Sequence, residues 1–212
     1  TDLRAAILAR YSVNGWSESN LGQLRAFGEQ QSFTSAYDAW GAVANLGPTA
    51  GRKNSVTDPN AKILVARVDG NLIDPNPRIG KADGEVFTLN DGRQVVVLQS
   101  AHQFGDAAHL PIPMSVYFAM GNAGYSTLLH EIGHTLGLKD ITSTPLPLGT
   151  DSTKYTVMSY NRFQQIAVTP QLYDIGVVQQ NDMYGRNIAT HSAANSLYKF
   201  LETQSTPIPE NP

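Results

Sequence analysis

The 212-residue chain has no cysteine, which excludes a disulfide framework, thiolate-held zinc and an iron–sulfur cluster on Cys ligands. This leaves the compartment open, because secreted proteins without disulfides exist. Charge is scarce: 16% of residues are Asp, Glu, Lys or Arg, and 18 acidic against 15 basic side chains leave a formal net charge of −3. A nucleic-acid footprint needs clustered Lys and Arg, so no nucleic-acid partner is expected. The longest apolar runs, such as Val95-Val96-Val97-Leu98, fall far short of the roughly 20 residues of a membrane span. Residues 3–9 carry Arg4 and lack a cleavage-type flank, so they do not read as a signal peptide. Solenoid-period repeats are absent, Gly-Gly-x-Gly-x-Asp calcium repeats among them. What is present is 41% hydrophobic residues, a globular composition rather than a disordered one. At this length about 70% of the unfolded surface can be buried without staples.

Phe33, Tyr37, Trp40, Val43 and Ala44 recur at helical spacing, with Ser32 or Thr34 as the N-cap and Gly47-Pro48 as the stop. Residues 62–68 read as a strand, and 69–84 as a loop held irregular by Pro75, Pro77 and glycines. Residues 85–89 and 93–98 flank Asn90-Asp91-Gly92, a hairpin signal. Residues 114–119 read as a further strand, entered from Pro111 and Pro113. A helix follows from about Gly124 to Leu136, with Leu129, Ile132 and Leu136 on its apolar side and Gly137 ending it. Residues 142–156 lack periodicity, further helices are expected at about 170–182 and 191–203, and the proline-bearing tail should be extended. This layout predicts two unequal lobes meeting near residue 137.

The chemistry concentrates in His130-Glu131-Ile132-Gly133-His134. Residues four apart share a helix face, so both imidazoles can bind one metal. Glu131 sits where its carboxylate can reach a water on that metal without binding the metal itself. The bland alternative is two satisfied surface histidines on an amphipathic helix. A zinc site that keeps one position for water needs a third protein ligand. No Glu occurs between Glu131 and Glu202, which argues against a ligand from a later helix. Of the downstream carboxylates Asp140, Asp151, Asp174 and Asp182, Asp140 alone has the right spacing. A left-handed Gly137 would end the helix and swing residue 140 back toward the metal.

The stretch Gly124-Tyr125-Ser126-Thr127-Leu128-Leu129-His130-Glu131-Ile132-Gly133-His134-Thr135-Leu136-Gly137-Leu138, followed by Val157-Met158-Ser159-Tyr160, resembles the metzincin metalloproteases. Their pattern is His-Glu-x-x-His-x-x-Gly-x-x-His with a later Met-turn, and the chain looks most like the serralysin branch. Residues 33–45, with Trp40 and Val43-Ala44-Asn45, resemble that branch's first helix; 170–185, with Asp174-Ile175 and Tyr184-Gly185, resemble its later helix. The likeness is specific over about 120–185, looser over 30–100, and does not reach the C-terminal tail.

The resemblance implies an α+β fold of the zincin type, with 1–212 as one catalytic domain. Residues 1–137 would form an upper subdomain with a twisted mixed sheet and two long helices. Residues 138–212 would form a smaller, mostly irregular lower one with C-terminal helices, the cleft lying between. It implies a secreted, monomeric zinc endopeptidase acting on a protein or peptide substrate through a metal-activated water, with Glu131 as general base. Met158 would lie beneath the metal and Tyr160 beside it or beside the oxyanion, while Arg162 and Phe163 would shape the leaving-group side. An extended substrate would add to the edge of the upper sheet, for which 114–119 is the chosen strand.

One departure stands out. The family's third His is Asp140 here, as in the small snapalysin-type metzincins. An anionic ligand partly neutralises Zn²⁺ and makes its water less acidic, and it tilts selectivity toward oxygen-preferring metals. Should Asp140 merely cap a turn, the spare imidazoles are His102, His109 and His191. Asp69, Asp74 and Asp83, with Asn71 and Asn76, carry the oxygen donors of a Ca²⁺ site and equally the composition of a polar loop. The competing functions are a binding module with a structural metal, which needs four protein ligands, and a protease restricted to its own chain or one partner.

Overall fold

The structure, a computed structural model, describes residues 3–11, 24–26, 29–46, 61–68, 84–99, 113–141, 150–161 and 166–180. Over these the chain is mixed α/β around a small open sheet. In chain order the elements are α1 (Leu3–Tyr11), β1 (Leu24–Ala26), α2 (Gln30–Gly41), β2 (Ile63–Val68), β3 (Gly84–Thr88), β4 (Gln94–Gln99), α3 (Met114–Tyr117), α4 (Ala123–Thr135) and α5 (Leu172–Gln180).

The sheet runs β1-β2-β4-β3. β2 and β4 are parallel, while β1 and β3 lie antiparallel against them at either edge. β4 explains this geometry: Val95, Val96, Val97 and Leu98 are all fully buried, as a continuous apolar run requires when both faces of a strand are covered. Each such side chain contributes about 1.5–3 kcal/mol on burial. Val95 and Val97 pack with Leu64 and Ala66 beneath Leu3 and Ile7 of α1. Val96 and Leu98 face the other way, with Ile63, Val65 and Val86, into a larger core shared with α2 and α4. Three layers result: α1, the sheet, then the α2–α4 pair.

The Asn90-Asp91-Gly92 hairpin joins β3 to β4, with Gly92 at φ 84° and Leu89 N–H donating to Arg93 O at 2.8 Å. Asp91 bonds Arg93 through both backbone and guanidinium. Against the sequence expectation, the N-cap of α2 is Glu29, and the helix ends at Gly41 rather than at Gly47-Pro48. Residues 114–119 are not a strand. Pro113 O accepts from the backbone N–H of Val116 and Tyr117, both at 2.9 Å, which winds the segment into a helical turn. Tyr117 and Phe118, adjacent in sequence, are both buried, so no two-residue alternation exists. The edge strand beside α4 is instead β3. α1 and β1 were not expected. The helix predicted at 191–203, the Ca²⁺-type loop residues, Arg162 and Phe163, and His102, His109 and His191 lie outside the described residues.

Candidate metal centre

α4 carries the first two donors and is fixed from below. Trp40 of α2, fully buried, donates its indole N–H to Leu129 O at 3.0 Å. Gly133 lets the helix settle on this support: a Cβ there would come within 2.8 Å of Met158 Sδ and 3.1 Å of Trp40 Cζ2. Met158 is accordingly buried under the helix, 1% exposed.

The helix stops where Gly137 turns left-handed, at φ 91°. Leu138 N–H donates to Gly133 O at 3.1 Å and Gly137 N–H to His134 O at 3.0 Å, the paired bonds of a Schellman stop. The reversed chain then serves the site twice. Leu138 O lies 2.9 Å from His134 Nδ1, and Asp140 Oδ1 lies 3.1 Å from His130 Nε2 and 3.3 Å from His134 Nε2.

These three donors form a group able to hold a metal ion. Tetrahedral zinc at 2.0–2.1 Å from its ligands requires ligand–ligand separations of roughly 3.3–3.4 Å, close to the two separations found. The Nδ1 atoms agree. Each faces a backbone carbonyl at 2.9 Å, Val157 O for His130 and Leu138 O for His134. A carbonyl only accepts, so Nδ1 carries the proton and Nε2 keeps a lone pair for a metal. The residues therefore fit a zinc-sized cation with two imidazole ligands and one carboxylate.

Without a cation, protons take its part. Burial alone would lower the His134 pKa, but the hydrogen bond to Asp140 and the nearby Glu131 charge outweigh it and push it up to about 9. Burial likewise works against ionised Asp140, yet the two imidazoles hold its carboxyl well below the usual range. Glu131 goes the other way: 4% exposed, it is raised by burial to about 7, with the imidazoles pulling back only in part. Its Oε2 is buried and has no hydrogen-bond partner among the described residues.

A folded-state pKa raised from 4.5 to about 7 means the folded chain holds a proton that the unfolded chain has lost. Stability of the metal-free protein should therefore fall as pH rises through that window. Glu131→Gln is expected to remove this decline, stabilising the metal-free protein above pH 7 by on the order of 3 kcal/mol with no gain below pH 4. Chelator-treated thermal melts across pH check it; parallel curves for the two proteins would contradict it.

The floor of the site is a turn at 156–161, tied at two points. Asp174 of α5, 1% exposed, accepts from Thr156 Oγ1 at 2.6 Å, Val157 N–H at 2.8 Å and Gln171 N–H at 2.7 Å. Burial nevertheless holds its pKa above the ordinary carboxylate value. Thr156 Oγ1 in turn accepts from Met158 N–H. Asp151 accepts from Ser159 Oγ at 2.6 Å and Asn161 Nδ2 at 2.7 Å, the two neighbours of Tyr160. Tyr160 thus stands on a braced rung, 45% exposed, its ring centroid 5.5 Å from that of His130. The sequence marked Asp151 only as a carboxylate with the wrong spacing, and Asp174 also through the resemblance of residues 170–185 to a later metzincin helix.

Asp174 supports the carbonyl that orients His130, so its loss should act on both fold and site. Asp174→Ala is expected to cost about 3 kcal/mol, since it strands buried donors, and to weaken zinc binding about 10- to 100-fold. Melting and zinc-competition titrations measure the two effects; zinc affinity equal to the parent's would contradict the second.

A cleft of about 360 Å³ opens over this group, lined by Glu131, His134, Asp140 and Tyr160 on one side and by β3 residues Gly84 to Thr88 with Arg10 on the other. Arg10 closes that far wall by bonding Glu85 Oε1 through Nε at 3.0 Å and Nη2 at 2.8 Å.

No family model matches the chain. It is similar to serralysin of Proteus mirabilis, with 30% identity over 182 residues, covering 77% of this chain and 35% of serralysin. The chain therefore spans about a third of that relative's length. No helix among the described residues is long and apolar enough to cross a membrane.

Proposed function

We propose that this chain is the catalytic domain of a zinc-dependent endopeptidase of the metzincin group. In this reading residues 1–137 form the upper part of a zincin-type fold and 138–212 the lower part. The observation that carries it is the convergence of His130 Nε2, His134 Nε2 and Asp140 Oδ1 beside a buried Glu131 carboxylate. The similarity to serralysin supports it. Zinc held by those three donors would supply Lewis acidity to the scissile carbonyl and the attacking water.

The rest falls to the chain itself. Glu131 takes a proton from the attacking water, holds it on a carboxyl group that is itself 4% exposed, and returns it to the leaving amine. A carboxylate beside the donors, itself no ligand, suits a group that must both accept and release a proton. The Tyr160 hydroxyl, presented from the braced turn, offers a hydrogen bond to the carbonyl oxygen as it gains negative charge. Met158 keeps α4 seated. β3 is an edge strand bordering the cleft, and an extended peptide pairs with its outer side. Secretion and a monomeric state belong to the same reading.

A structural-metal module fits less well, because a closed site needs a fourth protein ligand and here the donors face an open cleft. The test is release of fragments from casein by the purified chain, abolished by a chelator and restored by zinc. Cleavage confined to the chain itself would favour a self-processing protease. No cleavage at one bound zinc per chain would overturn the enzyme reading.

A further inference from the structure

Gly84 opens β3 opposite Glu131, and nothing in its backbone requires glycine. Its φ is not among the positive values, which are confined to Gly92, Gly121 and Gly137 among the described residues. It sits in regular antiparallel register with Leu98 of β4, where any residue fits. The requirement is space. A Cβ at position 84 would meet Glu131 Cγ at 2.8 Å, Oε1 at 2.9 Å and Cδ at 3.0 Å, its three nearest atoms. All three belong to one side chain. Elsewhere the tight glycines abut the fold itself: Gly124 faces the Tyr117 ring and backbone oxygen, and Gly133 faces Met158 and Trp40.

We propose that Gly84 is a positioning residue: the missing side chain forms a slot in the edge strand that seats the Glu131 carboxylate at its working position. This rests on the reading of Glu131 as the proton carrier. The three atoms that a methyl group at position 84 would meet first, from Cγ outward, belong to a side chain and not to backbone or packed rings. The strand and α4 can therefore keep their places while the carboxylate shifts. Glu131 is 4% exposed, so it has little room to shift without leaving its alignment. A misplacement of about 1 Å in a reacting group can cost on the order of 10²-fold in rate. The donors His130, His134 and Asp140 make no such contact with position 84 and should hold metal as before.

The experiment is Gly84→Ala, studied in parallel with Glu131→Ala and the double variant. In the zinc-loaded protein, kcat on a peptide substrate is expected to fall about 10²-fold, with KM and zinc affinity within about twofold of the parent. In the metal-free protein, Gly84→Ala is expected to lower Tm by about 3 °C in the parent and not at all in the Glu131→Ala background, where the obstructed side chain is gone. If Gly84→Ala alone does not fold, the double variant should. An unchanged kcat, an equal Tm loss in both backgrounds, or a double variant that also fails to fold would each overturn the proposal. A parent that cleaves no peptide overturns the protease reading and the positioning role with it, while the melting cycle still decides the contact separately.

Discussion

Glu131→Gln is expected to slow peptide cleavage by about 10³-fold while leaving the metal in place. The amide has nearly the shape of the carboxyl group but cannot take a proton from water, and its neighbours supply no substitute base. The other carboxylate near the donors is Asp140, whose Oδ1 lies against both imidazoles. It is thus engaged in the donor group and not free to stand in. Loss of a general base reduces rates by about 10²–10⁴-fold, and a value near 10³ is expected here. The measurement pairs cleavage of a fluorogenic peptide with metal content by mass spectrometry. A variant that retains one zinc per chain and full activity would remove Glu131 from the chemistry. A variant that loses the zinc would instead make it a ligand.

Asp140→Ala should do the reverse and strike the metal first. Removing a partner one step outside a metal's ligands costs about 10- to 100-fold in affinity, so removing a direct ligand is expected to cost more than 100-fold. Asp140→His should recover most of the binding, because the Schellman turn at Gly137 and the carbonyl of Leu138 still deliver residue 140 to the same place. Competition against a chromophoric chelator measures both. Affinity unchanged in Asp140→Ala would mean that a different group completes the ligand set. The metal-free variant has a second signature. With the carboxylate gone, His134 loses a main support for its raised pKa and should titrate nearer its ordinary range by NMR.

What could be read from the sequence was what local spacing determines. His130, Glu131 and His134 declared themselves through helical geometry, and Gly137 through the conformation only glycine adopts easily. β4 was legible because an uninterrupted Val-Val-Val-Leu run needs cover on both faces. Residues 114–119 misled because β-branched and aromatic side chains favour a strand, whereas Pro113 and the packing of Tyr117 against α4 favoured a turn. α1 was missed because of its residues only Leu3 and Ile7 are buried, with Ala6 and Leu8 partly so, a stripe too irregular to read. Gly84 faces a distant segment, Asp174 reaches back to Thr156 and Val157, and Asp151 meets Ser159 and Asn161 across an irregular loop. Spacing carries no trace of a carboxylate that accepts bonds from residues 156 and 157, or of a glycine facing an acid on another element.

The turn at 156–161 has one further consequence. The donors themselves are complete by residue 140, yet the carbonyl that aims His130 belongs to Val157, and Val157 is held by an acid on α5. A polypeptide still emerging from the ribosome would expose both histidines well before that prop arrives. On the proposed reading, tight capture of a cation would therefore follow the arrival of α5, and a chain shortened before Leu172 would keep its coordinating groups but lose the prop that aims His130.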